Sequence, residues 1–224
     1  MKRYLIVSPH SDDAWLCCSS IILDPEVEVS IFQVEDDPKR VKEDEQLYGF
    51  LGVDYHHLSV PYIDNSYYAF HKRYGHQKLD SLKTWNTLKE IQDFPWQDFE
   101  YEITEYIGRF LKRNKGYEVI APLGIGHPFH LFCREVVRKT VSLLSYYREF
   151  PHSFKRMAQE QMKDIAEHYF IVKSNPIVEF ADIKWELAKK FYKTQSSFFF
   201  FEQGYLKKNL PEEFWMCNAD ELPF

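Results

Sequence analysis

The side chains best suited to chemistry fall into two short stretches, His10-Ser11-Asp12-Asp13 and His127-Pro128-Phe129-His130. An imidazole beside a carboxylate suits a zinc ion, with non-haem iron(II) the next candidate. If residues 10–13 are extended, Asp12 and Asp13 point to opposite sides. His10 and one carboxylate can then hold the cation while the other addresses a water on it. The same four residues also fit a plainer role, a Ser/Asp turn that caps the helix after it.

Ahead of the first stretch, Tyr4–Val7 is an apolar run ended by Pro9, the pattern of a buried central strand. The second stretch also follows an apolar strand, Tyr117 to Ala121, through Pro122-Leu123-Gly124-Ile125-Gly126, and enters a helical pattern from Leu131 to Leu144. Pro128 suits the first helical position and puts His130 in the first turn, where the helix dipole disfavours an imidazolium and keeps the ring neutral. In open α/β sheets ligands bind beyond the carboxyl ends of the strands, and both stretches lie there. With His10 and Asp13, the second stretch completes a His₂Asp metal set with an open fourth position, the form of a catalytic zinc site.

Pro9-His10-x-Asp12-Asp13, followed by His127-x-x-His130 after a Gly-rich turn, resembles the paired motifs of the PIG-L/LmbE-like zinc-dependent de-N-acetylases. Weaker likeness extends over Arg40-x-x-Glu43-Asp44 to Leu51-Gly52-Val53, over Tyr146 to Pro151, and from Lys184 through Tyr192 to Gln195. The resemblance implies an LmbE-like fold and a hydrolase that removes the acetyl group from an N-acetylated amino sugar or its glycoconjugate. It implies Zn²⁺, with Fe²⁺ tolerated, on His10, Asp13 and His130. Asp12 is then the general base, and His127 stabilises the oxyanion or protonates the leaving amine. Ala14 replaces a frequent Glu and Ser11 a frequent Pro. Phe129 stands where many members carry Asp, so whatever that Asp contributes to the charge of His127 is missing here. Two other readings stay open: a zinc hydrolase of a different amide or ester, and a non-catalytic sugar-binding protein, which Phe129 favours.

The rest of the chain reads as one α/β domain over 1–224, a Rossmann-like three-layer α/β/α arrangement with a mostly parallel central sheet. Helices are expected at Ala14–Ile22, Pro38–Leu51 (stopped by Gly52), Leu82–Ile91, Trp96–Asn114 and from Asp182, as cap, to Phe191. The long helix from Leu131 is expected to run on to near Tyr146-Tyr147. Strands are expected at Val27–Val34, Tyr55–Val60, His168–Val172 and Ile177–Phe180. His56 and His57 face opposite ways in a strand and read as structural, Glu35-Asp36-Asp37 as a solvated acidic turn. A polar, aromatic segment at about 62–79 reads as a substrate-covering loop. Asp64, Tyr68 and Arg73 in it, with Arg40, are the expected substrate contacts.

Composition excludes some classes. The 28 basic and 34 acidic residues give a net charge of −6 with no basic block, so nothing favours nucleic acid. No apolar run spans a membrane, and the start is too short for a signal peptide. The 4 cysteines form no C-x-x-C pair and read as free thiols of a cytoplasmic protein, neither Cys17 nor Cys133 being a ligand. Aromatics make up 17%, read first as core. Phe198–Phe201 offers core or a homo-oligomer face. Gly124-x-Gly126 is not a dinucleotide fingerprint, because position 129 is Phe rather than Gly.

Overall fold

The computed structural model describes residues 1–35, 37–58, 96–142, 144–150, 152, 156–175, 181–195 and 211–217. Its elements in chain order are β1 (Lys2–Ser8), α1 (Asp13–Ile22), β2 (Val27–Gln33), α2 (Pro38–Leu51), β3 (Asp54–His57), α3 (Trp96–Arg113) and β4 (Tyr117–Pro122). These are followed by α4 (Pro128–Thr140), β5 (Leu144–Tyr147), α5 (Arg156–His168), β6 (Tyr169–Asn175), α6 (Ala181–Phe191) and β7 (Glu212–Cys217). The strands form one seven-stranded sheet in the order β3-β2-β1-β4-β5-β7-β6. The first five in that order are parallel, while β7 runs antiparallel to both β5 and β6. The protein is therefore α/β with a mostly parallel mixed sheet, compatible with a three-layer Rossmann-like arrangement.

Alternation along the strands builds the two faces. Leu5, Val7, Val119, Ala121 and Tyr146 pack with Phe99, Ile103, Phe132, Val136 and Ile165 of α3, α4 and α5. Ile6, Ile31, Ile120 and Tyr147 pack with Trp15, Leu47, Tyr48 and Ala188 of α1, α2 and α6. The later parts of β1 and β4 are buried on both faces, which is why Leu5–Val7 and Val119–Ala121 are continuous apolar runs. From β1 the chain winds outward one way to β2 and β3, and the other way begins at β4. The order reverses between β1 and β4, the crevice where α/β sheets bind ligands.

Several boundaries depart from the sequence reading. The helix after the second motif stops at Thr140, where Val141 turns extended, and residues 144–147 form β5 instead of a last helical turn. The apolar periodicity carries on past the stop because Tyr146 and Tyr147 feed opposite cores. The helix at Arg156–His168 was not anticipated, although Ala158, Met162 and Ile165 carry a helical spacing. Near the C-terminus, Glu212–Cys217 supplies β7, a strand absent from the sequence expectations. α6 begins at Ala181, so Asp182 lies inside its first turn rather than capping it. The expected helix at 82–91, the strand at 177–180, the Phe198–Phe201 run and the loop at 62–79 lie outside the described residues.

Candidate metal centre

Four neighbouring strand ends deliver the site. β1 ends at Ser8, whose hydroxyl donates to the His10 carbonyl at 2.7 Å and accepts from the Ala14 amide at 3.0 Å, folding 8–14 into a tight turn. Asp12 takes φ 82°, the one positive value among described non-glycine residues, and the next residue starts α1. The segment is not extended, so alternation is not what separates the two carboxylates; the left-handed turn at Asp12 is. Asp suffers this conformation more readily than most residues, at a cost of order 1–3 kcal/mol. Although Asp12 stands at the cap position, its side chain makes no capping bond.

Asp13 turns inward. Its Oδ2 accepts from the His10 amide at 2.8 Å and lies 3.2 Å from His10 Nδ1 and 3.1 Å from His130 Nε2. The two ring nitrogens are 2.9 Å apart. Three donor atoms thus form a nearly equilateral triangle. A tetrahedral ion with bonds of about 2.0–2.1 Å requires ligand–ligand edges of about 3.3–3.4 Å, so the triangle, with edges somewhat shorter, is close in size to three of four vertices. His10, Asp13 and His130 are all less than a tenth exposed. These buried residues could hold a metal ion.

The charge of His130 departs from the sequence expectation. Burial and the helix start both disfavour an imidazolium, but Asp13 on Nε2 and Glu149 Oε1, 3.5 Å from Nδ1, raise its pKa to about 9. Asp13 is correspondingly held well below the usual carboxylate range: burial pushes it up, and His130 and His10 outweigh that. A proton and a cation compete for the same Nε2 lone pair, and the carboxylates favour either.

In the sequence Glu149 belongs only to the weak likeness over Tyr146 to Pro151, yet it is fully buried behind the triangle. It accepts from the amides of Gly124 and Ile125, the latter at 3.0 Å, so it orients both His130 and the turn of the second motif. His152, just beyond β5, was missed altogether. Its ring lies 4.9 Å from that of His130 and 5.0 Å from that of His127. A lone His after Pro151 carries no local signal; only the pairing of β4 with β5 brings it here.

His127 caps α4, and its Nδ1 accepts from the Phe129 amide at 3.3 Å. Its neutral ring therefore carries the proton on Nε2 and presents a donor. A donor atom on each of His10, His127 and His130 lies within 4.8 Å of the others. Phe129 supplies no charge: it is buried against Phe99, Phe132 and the His10 ring.

Asp12 lies among the residues of α2 and the segment after α6. Arg40 Nη2 approaches its Oδ1 at 3.4 Å, and Nη1 pairs with Glu35 at 2.9 Å. Gln195, with its amide turned to satisfy both neighbours, donates to Asp12 Oδ2 at 2.6 Å and accepts from Arg40 Nη2 at 2.9 Å. Arg40 also donates to the Ser11 carbonyl at 3.0 Å. Burial drives the Asp12 carboxyl well above its ordinary pKa, and Arg40 only partly offsets it. Asp44 accepts from the Tyr192 hydroxyl at 2.6 Å, and the Ser11 hydroxyl donates to the Arg40 carbonyl at 3.1 Å, so α2 braces the strained turn. The acidic turn read as solvated is put to use as well: Glu35 holds Arg40, and Asp37 caps α2.

Of the residues singled out from sequence, His10, Asp12, Asp13, His127, His130 and Arg40 come together. Asp64, Tyr68 and Arg73 lie outside the described residues. His56 is a partly exposed partner of Asp54 at 2.9 Å, away from the cluster. Cys17, Cys18 and Cys133 are buried free thiols with pKa values raised by burial, and none joins the donor triangle. A cavity of about 800 Å³ opens towards the amino ends of the strands, between Tyr4, Ile21, Val27, Ile120 and Phe214, and none of the cluster lines it. No helix among the described residues is long and apolar enough to cross a membrane. Comparison with protein-family models, curated proteins and solved structures returned no match.

Proposed function

We propose that this protein is a metal-dependent amide hydrolase that removes the acetyl group from an N-acetylated amino sugar or its glycoconjugate, as the likeness of its two motifs to the PIG-L/LmbE-like de-N-acetylases implies. The observation that carries the reading is the donor triangle of His10, Asp13 and His130, sized for one tetrahedral ion, with a separate buried carboxylate on Asp12. Zinc or iron(II) held there would acidify a water and polarise the acetyl carbonyl.

The chain's own residues supply the rest. Asp12, with its pKa raised by burial, accepts the proton of the attacking water and returns it to the departing amine. Arg40 and Gln195 hold that carboxylate in place. His127, with its Nδ1 committed to the helix cap, donates from Nε2 to the developing oxyanion. Glu149 fixes the ring of His130 from behind. Buried free thiols fit a reducing, cytoplasmic setting.

The test pairs metal content with acetate release from a panel of N-acetyl amino sugars, for the parent chain and Asp12→Ala. The expected result is about one zinc or iron per chain in both, with acetate release lost only in the variant. Metal binding without turnover of any N-acetyl sugar would turn the reading towards a sugar-binding protein. A chain that binds no metal would remove its basis.

A further inference from the structure

The donor triangle has an imidazole beside two of its edges. His127 lies on the His10–His130 edge, as its ring distances of 4.7 and 5.0 Å show. On the Asp13–His130 edge stands His152, and a donor atom on each of Asp13, His130 and His152 lies within 4.8 Å of the others. Two imidazoles on one tetrahedral ion have ring centroids about 5 Å apart, given metal–nitrogen bonds of about 2.0–2.1 Å. His10 and His130 are 4.9 Å apart by that measure, and His152 and His130 are also 4.9 Å apart.

The position of His152 is built by the turn of the second motif. Gly126 has φ +70°, and a Cβ there would stand 2.5 Å from the His152 carbonyl oxygen. Only glycine allows the two backbones to meet so closely. The Gly126 amide donates to Gln161 of α5 at 2.8 Å, while the two preceding amides go to Glu149. The segment carrying Glu149, His152 and Gln161 is thereby clamped to the turn that carries His127 and His130.

Resting on the metal reading above, we propose that His152 is a further metal-directed ligand, which makes the centre a His₃Asp site able to bind zinc more tightly than the first three donors alone. Water and substrate then use a fifth position, an expansion zinc accommodates.

The test uses the full chain, with Zn²⁺ and Co²⁺ as the probes. Zinc affinity is measured by competition with a chromophoric chelator for the parent, His152→Ala and His130→Ala, and the Co²⁺ forms are compared by visible absorption. His152→Ala is expected to weaken zinc by about 10- to 100-fold and to change the intensity of the cobalt bands. His130→Ala should abolish binding. A parent-like affinity in His152→Ala overturns the inference and leaves the metal reading standing. So does weakened affinity with an unchanged cobalt spectrum, which would make His152 a packing residue only. A parent chain that binds neither ion overturns the metal reading and this inference with it.

Discussion

Asp12 combines two demands on one residue, a backbone in the left-handed region and a carboxylate buried against Arg40. Both demands have a stability cost, and substitution separates them. Asp12→Gly and Asp12→Ala should each lose acetate release, but Gly fits φ 82° and Ala does not. Asp12→Gly should therefore be more stable than Asp12→Ala by about 1 kcal/mol, read from urea midpoints. Glu149 gives a second prediction at this scale. Its carboxylate lies behind His130 rather than on the triangle, so Glu149→Gln should fold and retain the site, with metal affinity lowered about 10- to 100-fold in a chelator competition. Asp44 gives a third, in pH. Burial holds its carboxyl up at about 7, against the Tyr192 hydroxyl that favours its charged form. The folded protein keeps this proton to a higher pH than the unfolded chain. The group is therefore neutral at no cost below about pH 4, and stability falls as pH rises to about 7 and levels off above. The fall attributable to it is at most roughly 4 kcal/mol. Urea midpoints of the parent and Asp44→Asn between pH 4 and 8 should diverge in slope, with the variant flatter.

At the scale of elements, α1 is held from both ends. Its start carries the site, and its last turns meet a buried ion pair: Lys184 of α6 donates to Glu212 of β7 at 2.8 Å, and Glu212 also accepts from the hydroxyls of Ser19 and Ser20. Lys184 and Glu212 are 1% and 4% exposed, so removing one partner strands a buried charge. Lys184→Met should lower stability by about 3–5 kcal/mol in denaturant unfolding, and the double change Lys184→Met with Glu212→Leu by less. This pair also marks what the sequence could and could not disclose. The elements from β1 to α2 were legible residue by residue, since apolar runs, Pro38 and Gly52 are local signals. The motif residues were legible because strand ends before Pro-containing turns announce themselves. Glu149, His152, Gln195 and Glu212 were not, since each acts through pairings set by the sheet: β4 with β5, and β7 inserted between β5 and β6. The state of His130 was misjudged for the same reason. The helix dipole is local, and the two carboxylates that overrule it come from residues 13 and 149.

Across the whole molecule, the sheet's order brings His10, Asp12, Asp13, His127 and His130 to one rim, with first-motif and second-motif residues following adjacent strands. The net charge of −6, with no basic block in the sequence, supplies no long-range attraction for a polyanion. His10 and His130 stand 120 positions apart in the chain and 2.9 Å apart in space. A cation shared between them works as a removable cross-link across that whole stretch, comparable in reach to a disulfide closing a loop of similar size, for which chain entropy gives about 5 kcal/mol. The two halves of the doubly wound sheet meet at this junction, so the ion would be a clasp between them as well as a reagent. At a metal concentration 100 times its dissociation constant, linkage adds about 2.7 kcal/mol to stability. For a chain of this length that corresponds to roughly 5–10 °C in melting temperature. Stripping the protein with a chelator should cost that much by differential scanning calorimetry, and readdition of zinc should restore it. His130→Ala, having no clasp to lose, should melt at one temperature with or without zinc.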